Sequence, residues 1–138
     1  MLDQDLLTTP YTDNNNPMYY YTCRHYPAGF LSSNLEDFSH FIITFLNEGE
    51  YKGNRILQKS TVEKMFEIQN PASGLSNLWW HCPGNCVGHD GGGTGFRTAV
   101  EWDFDTDKGI FIFSNKVNGS VPPGGRIYEL VKYQSTKF

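Results

Sequence analysis

The chain has 138 residues, with eleven Lys and Arg against fifteen Asp and Glu, a net charge of −4, and ten Phe, eight Tyr and three Trp. That length suits one domain burying about 68% of the surface its unfolded chain exposes, and the acidic balance leaves no basic face for a phosphate backbone, which argues against nucleic acid. No apolar run approaches a membrane span, and Met1-Leu2-Asp3-Gln4-Asp5 is acidic where a secretory signal would be basic, so the chain as it stands carries no address.

Residues 1–30 read as an extended N-terminal arm, since Thr8-Thr9-Pro10 and Asp13-Asn14-Asn15-Asn16-Pro17 are turn formers and Met18-Tyr19-Tyr20-Tyr21 has no helical period. Such an arm must lie against the remainder or against another chain. Ser33-Asn34-Leu35-Glu36 spells a capping box, and Leu35, Phe38, Phe41, Ile42, Phe45 and Leu46 follow at three- and four-residue steps, so the pattern predicts a helix closed by Gly49. Tyr51 to Arg55 is turn-like, with Ile56 and Leu57 expected in the core. A second box, Ser60-Thr61-Val62-Glu63, predicts a shorter helix carrying Val62, Met65, Phe66 and Ile68, ended by Asn70-Pro71.

Beyond Pro71 the period changes. Strands are expected around Leu75 to Trp80, Val87 to His89, Arg97 to Phe104 and Gly109 to Ser114, with a hairpin turn at Asp103 to Lys108, and a last helix over Arg126 to Tyr133. Helices before and after a run of adjacent strands predict an α+β fold, an antiparallel sheet of about three or four strands with helices packed on it.

The most informative stretch is Gly88-His89-Asp90-Gly91-Gly92-Gly93-Thr94-Gly95-Phe96. Glycine costs conformational entropy unless the chain needs φ > 0 or close approach to the main chain, and bare N–H groups beside an imidazole can stabilise an oxyanion or a carboxylate. The plainer reading is a glycine-rich hairpin with an incidental histidine. Three cysteines, Cys23, Cys82 and Cys86, leave one unpaired under any intramolecular scheme, and free thiols are the favoured expectation. Two others stay open: a Cys82–Cys86 bridge, and zinc held by His81, Cys82, Cys86 and His89. Asn118-Gly119-Ser120 matches a glycosylation sequon, a signal that matters only in a secreted eukaryotic protein.

Pro27-Ala28-Gly29-Phe30-Leu31, Ser33, Glu36-Asp37-Phe38 and Phe41, then Asn47-Glu48-Gly49, Arg55-Ile56-Leu57, Ser60-Thr61-Val62 with Met65, the His89 glycine run through Gly95-Phe96, and Phe113-Ser114-Asn115 follow one another in an order that resembles the C-terminal part of the serine beta-lactamase-like family. That family includes class C beta-lactamases, DD-peptidases and related esterases. The resemblance runs from about Tyr11 to the end and makes 31–138 the C-terminal half of a beta-lactamase-like domain. By this likeness His89-Asp90-Gly91 corresponds to an H-x-G motif: His89, Gly91 and Gly92 take catalytic positions, with Gly92 N–H an oxyanion donor, and Asp90, Gly93, Thr94 and Arg97 line the substrate.

The family's S-x-x-K nucleophile motif and Y-x-N motif occur nowhere in these 138 residues. Ser60 meets Lys64 at four residues, and Ser32-Ser33-Asn34 fits only as a string at a helix start. The resemblance therefore implies a fragment of a serine hydrolase, inactive alone, that handles an acyl substrate (a beta-lactam, peptide or ester) only with an N-terminal half. It also implies a homo-oligomer or partner chain over an open sheet edge, no metal and no cofactor, and a periplasmic or other extracytoplasmic setting if the bacterial family is followed. The alternative expectation is a non-catalytic binding or assembly module on a truncated scaffold.

Overall fold

The computed structural model describes residues 6–20, 26–29, 31–82, 84–117 and 125. Its elements in chain order are α1 (Tyr26–Gly29), α2 (Leu35–Leu46), β1 (Glu50–Tyr51), β2 (Asn54–Arg55), α3 (Lys59–Phe66), β3 (Ile68–Asn70), β4 (Leu75–Ser76), β5 (Trp80–Cys82), β6 (Cys86–Gly93), β7 (Phe96–Asp103) and β8 (Lys108–Ser114). The fold is α+β. β1 and β2 form a small hairpin, and β3 to β8 form one antiparallel sheet in sequential order. Six strands replace the expected three or four: Ile68, assigned to the second helix by its apolar spacing, opens β3 instead, and the Leu75 to Trp80 segment breaks into β4 and β5. The predicted helix at Arg126 to Tyr133 lies outside the described residues.

The helix starts differ from the capping boxes, by one residue at α2 and by two at α3. Asn34, not Ser33, caps α2: its Oδ1 accepts the Asp37 N–H at 2.8 Å while its Nδ2 donates to the Asp37 carboxylate at 2.8 Å. Asparagine outcompetes serine because the amide both accepts and donates, and Asp37 adds negative charge at the helix N-terminus. α3 begins at Lys59 after Gln58 with no side-chain cap. On α2 the apolar stripe is only partly covered: Ile42 and Phe45 are buried, whereas Leu35 and Phe41 are exposed. Ile56, expected in the core, is exposed too. α2 stops at Leu46, and Gly49 takes φ +92°, donating to the Thr44 carbonyl at 2.7 Å. A Cβ there would collide with the Leu57 carbonyl, so only glycine fits. In the β1–β2 hairpin, Lys52 and Gly53 both have positive φ between the paired Tyr51 and Asn54, the type I′ geometry that matches strand twist.

The contacts group into two compact units: Met1–Leu31 with Asp90–Ala99 and Ile110–Phe138, and Ser32–His89 with Val100–Gly109. In the second, Phe45 of α2 and Phe66 of α3 meet Trp79 edge to face at 5.9 Å and stacked at 6.4 Å, and Trp79 meets Trp102 of β7 edge to face at 4.6 Å. Trp102 and Val87 are almost completely buried. Such offset and perpendicular pairs contribute about 0.5–1.5 kcal/mol each beyond the area they bury. In the first unit, the arm is tied to the end of β8: Tyr11 N–H donates to Asn115 O at 2.8 Å, Asn115 Nδ2 to Thr9 O at 2.8 Å, and Lys116 Nζ to Asn15 Oδ1 at 2.8 Å. Ala99 is fully buried there against Ile112. No helix among the described residues is long and apolar enough to cross a membrane.

Candidate functional site on the glycine strand

β6 carries the glycine run. Its pairing with β5 covers Cys82↔Cys86, His81↔Val87 and Trp80↔Gly88, and Trp80 is the first residue of β5. β6 continues five residues past that last pair, through His89, Asp90, Gly91, Gly92 and Gly93, while β7 flanks it on the other side. In an antiparallel strand alternate N–H groups point to opposite edges, so part of this stretch directs its donors away from β7.

Four of the glycines, Gly88, Gly91, Gly92 and Gly95, have physical reasons of their own. A Cβ on Gly88 would lie 2.5 Å from the Trp80 ring and 2.6 Å from the Val100 carbonyl oxygen, so glycine lets the indole lie against the backbone. On Gly91 a Cβ would come within 2.7 Å of Thr98 Oγ1, and on Gly92 it would strike the Arg97 guanidinium. Arg97 itself is anchored weakly, Nη1 standing 3.4 Å from the carbonyls of both Gly93 and Phe96. Gly95 turns the hairpin at φ +87°, with Pro10 packed where a side chain would go.

Of the candidate residues, His89, Asp90, Gly92 and Thr94 are exposed, and Gly91, Gly93 and Arg97 are half-buried. His89 stands edge-on to Trp79, ring centroids 6.3 Å apart, at the margin of the aromatic cluster. All seven candidates fall within the sequence of the β6–β7 hairpin. His89 belongs to the unit of Ser32–His89, and the other six belong to the unit containing Asp90–Ala99.

The cysteines depart from the favoured expectation. Cys82 and Cys86 form a disulfide rather than free thiols, their Cα atoms 5.1 Å apart across the β5–β6 hairpin. Cys23 lies outside the described residues. The four-residue zinc set is not assembled: strand alternation sends His81 and His89 to the face opposite Cys82 and Cys86, and His81 Nε2 donates to the Phe66 carbonyl at 3.0 Å. A different residue joins the sulfurs. Glu101 of β7, only 7% exposed, brings a carboxylate oxygen within 4.8 Å of both Sγ atoms. Its signal in the sequence was an acid in mid-strand within Arg97 to Phe104, where Val100 and Trp102 mark the core face and Ala99 and Glu101 the other.

The chain matches no protein-family model, no curated protein and no solved structure.

Proposed function

We propose that this chain is the C-terminal part of a beta-lactamase-related serine hydrolase, supplying the histidine and glycine strand of an acyl-transfer site whose serine lies on other polypeptide. The observation that carries the reading is the run of β6 beyond its last β5 partner, a glycine-rich stretch with no β5 residue beside it that starts at the exposed His89. Acyl transfer uses such a feature: a tetrahedral intermediate has to come within hydrogen-bond distance of main-chain N–H groups, and glycine leaves the approach to them uncrowded. His89 would hydrogen-bond the proton-moving tyrosine or a substrate carboxylate, with Gly92 N–H as one oxyanion donor and Gly91 keeping the edge bare. Asp90, Gly93, Thr94 and Arg97 would face the acyl group's substituents. The acyl substrate is an amide or ester, and the partner is the N-terminal half that completes the domain.

The test is reconstitution. The chain is mixed with a polypeptide bearing S-x-x-K and Y-x-N that is encoded with it, and hydrolysis of a chromogenic ester and a chromogenic cephalosporin is followed side by side. A fluorophosphonate probe is expected to label the complex on the partner's serine and to leave the isolated chain unlabelled. In the complex, His89→Ala should lower acylation about 100-fold with assembly intact. Labelling of the isolated chain, or acylation indifferent to His89→Ala, would remove the assignment.

A second reading, a binding or assembly module without chemistry, is favoured by one observation. The space above Gly88, Gly91 and Gly92 already holds Trp80, Thr98 and Arg97. It predicts a stable complex with no acyl-enzyme under any of these substrates.

A further inference from the structure

We propose that Cys82, Cys86 and Glu101, once the disulfide is reduced, form a binding site for a thiophilic divalent cation of the zinc class. The argument is independent of the hydrolase reading and rests on a different face of the sheet. Three potential ligands, one from β5, one from β6 and one from β7, bring their donor atoms within 4.8 Å of one another, and two of them, Cys86 and Glu101, are buried. Tetrahedral zinc holds sulfur at about 2.3 Å and carboxylate oxygen at about 2.1 Å, which sets donors about 3.5–3.8 Å apart. The sulfurs reach that spacing by side-chain rotation alone, because Cys82 and Cys86 are directly opposed in the strand register.

The chemistry selects the ion. Two thiolates and one carboxylate suit zinc and its neighbours, whereas calcium and magnesium require oxygen ligands throughout. Three protein ligands leave a fourth position for water or another donor. The hairpin holds the site in place: Asn85 Nδ2 donates to Asp105 at 2.9 Å and Phe104 N–H to Asn85 O at 2.9 Å, tying the β5–β6 turn to the β7–β8 turn. Trp80, whose ring lies over Gly88, sits on the same face one pleat away from Cys82.

Loading proceeds in two balanced steps. A dithiol reductant gives up two electrons and two protons to the Cys82–Cys86 bond and becomes a cyclic disulfide, leaving two thiols. The cation then displaces both thiol protons to solvent and takes the Glu101 carboxylate as third ligand. The disulfide and the metal complex are therefore mutually exclusive states of one site.

The experiment uses the full chain with Cys23→Ser, so that Cys82 and Cys86 are the only cysteines, reduced with a dithiol that is removed anaerobically by gel filtration. Titration with Co2+ is expected to saturate at one ion per chain, with a thiolate-to-cobalt charge-transfer band that Zn2+ abolishes and that the oxidised chain lacks. Cys82→Ser/Cys86→Ser should eliminate the band, and Glu101→Gln should weaken binding at least about 10-fold. Equal affinity in Glu101→Gln, or a reduced chain that binds no more tightly than the double serine variant, overturns the proposal. If Glu101→Gln fails to fold, X-ray absorption of the zinc-loaded chain decides: a shell of two sulfurs completed by light donors supports the site, and one with four sulfurs or no sulfur refutes it.

Discussion

Single residues in β6 show how a glycine run can have several causes at once. Gly95 turns the chain, whereas Gly88 makes room for an indole, and these needs carry different penalties. Gly88→Ala would drive a methyl group into the Trp80 ring and into the Val100 carbonyl oxygen, a backbone atom that cannot move aside. The expected cost is about 1–3 kcal/mol in urea unfolding, together with a shift in Trp80 fluorescence. Gly84 is the control: a Cβ there meets nothing, and its φ of +89° alone limits the penalty to about 1–2 kcal/mol with the indole emission unchanged. Equal fluorescence changes in the two variants would show that Trp80 does not depend on Gly88. The sequence signalled that backbone must be approached here, but not whether by the chain's own side chains or by a substrate. That depends on residues such as Trp80 and Arg97, which reach Gly88 and Gly92 only through the sheet register.

Among the elements, the helices and the last strands were legible because their patterns are local. The Leu35 to Leu46 stripe, the Arg97 to Phe104 alternation and the turn after Asp103 need no distant partner. Asp103 Oδ1 accepts the Asp105 N–H at 2.8 Å, an Asx turn readable from the residues themselves. The exact caps were less legible, since Ser33 and Asn34 are both good caps and only backbone geometry chooses. Asn34→Ala is expected to cost about 1 kcal/mol by thermal or denaturant unfolding, and Ser33→Ala less than about 0.5 kcal/mol. The reverse order would restore the serine box. β3 was missed, and β4 was not separated from β5, for another reason: Ile68–Asn70 and Leu75–Ser76 are too short to show a period, and they are strands only because neighbours pair with them. Lys59 of α3 illustrates the same dependence on a distant partner. The pKa of its amine is raised above the usual lysine value by a hydrogen bond and charge from Glu48, although the side chain is exposed.

For the molecule as a whole, β6, β7 and β8 each contribute residues to both contact units. The disulfide lies wholly within the unit containing Ser32–His89, closing a loop with a sequence separation of 4. So short a loop restricts the unfolded chain little, and reduction should lower stability by only about 2 kcal/mol. Against a typical total of about 5–15 kcal/mol, the reduced chain is expected to keep its near-ultraviolet aromatic dichroism. Loss of that signal on reduction at neutral pH would make the disulfide a condition of folding rather than one state of a site.

By itself the sequence determined the α+β class, the two principal helices, the β7–β8 hairpin and the glycine strand with its histidine, because each is written in spacing, capping chemistry or turn residues within a short window. It also determined that no S-x-x-K or Y-x-N accompanies that histidine. Only the tertiary structure decided that Cys82 and Cys86 pair, that His81 turns to Phe66 instead of toward them, that Glu101 joins the sulfurs, and that β6 outruns β5. Those four facts depend on strand register, and a shift of one residue would send every side chain to the other face. Register is set by the sum of pairings across the sheet, which no local pattern contains.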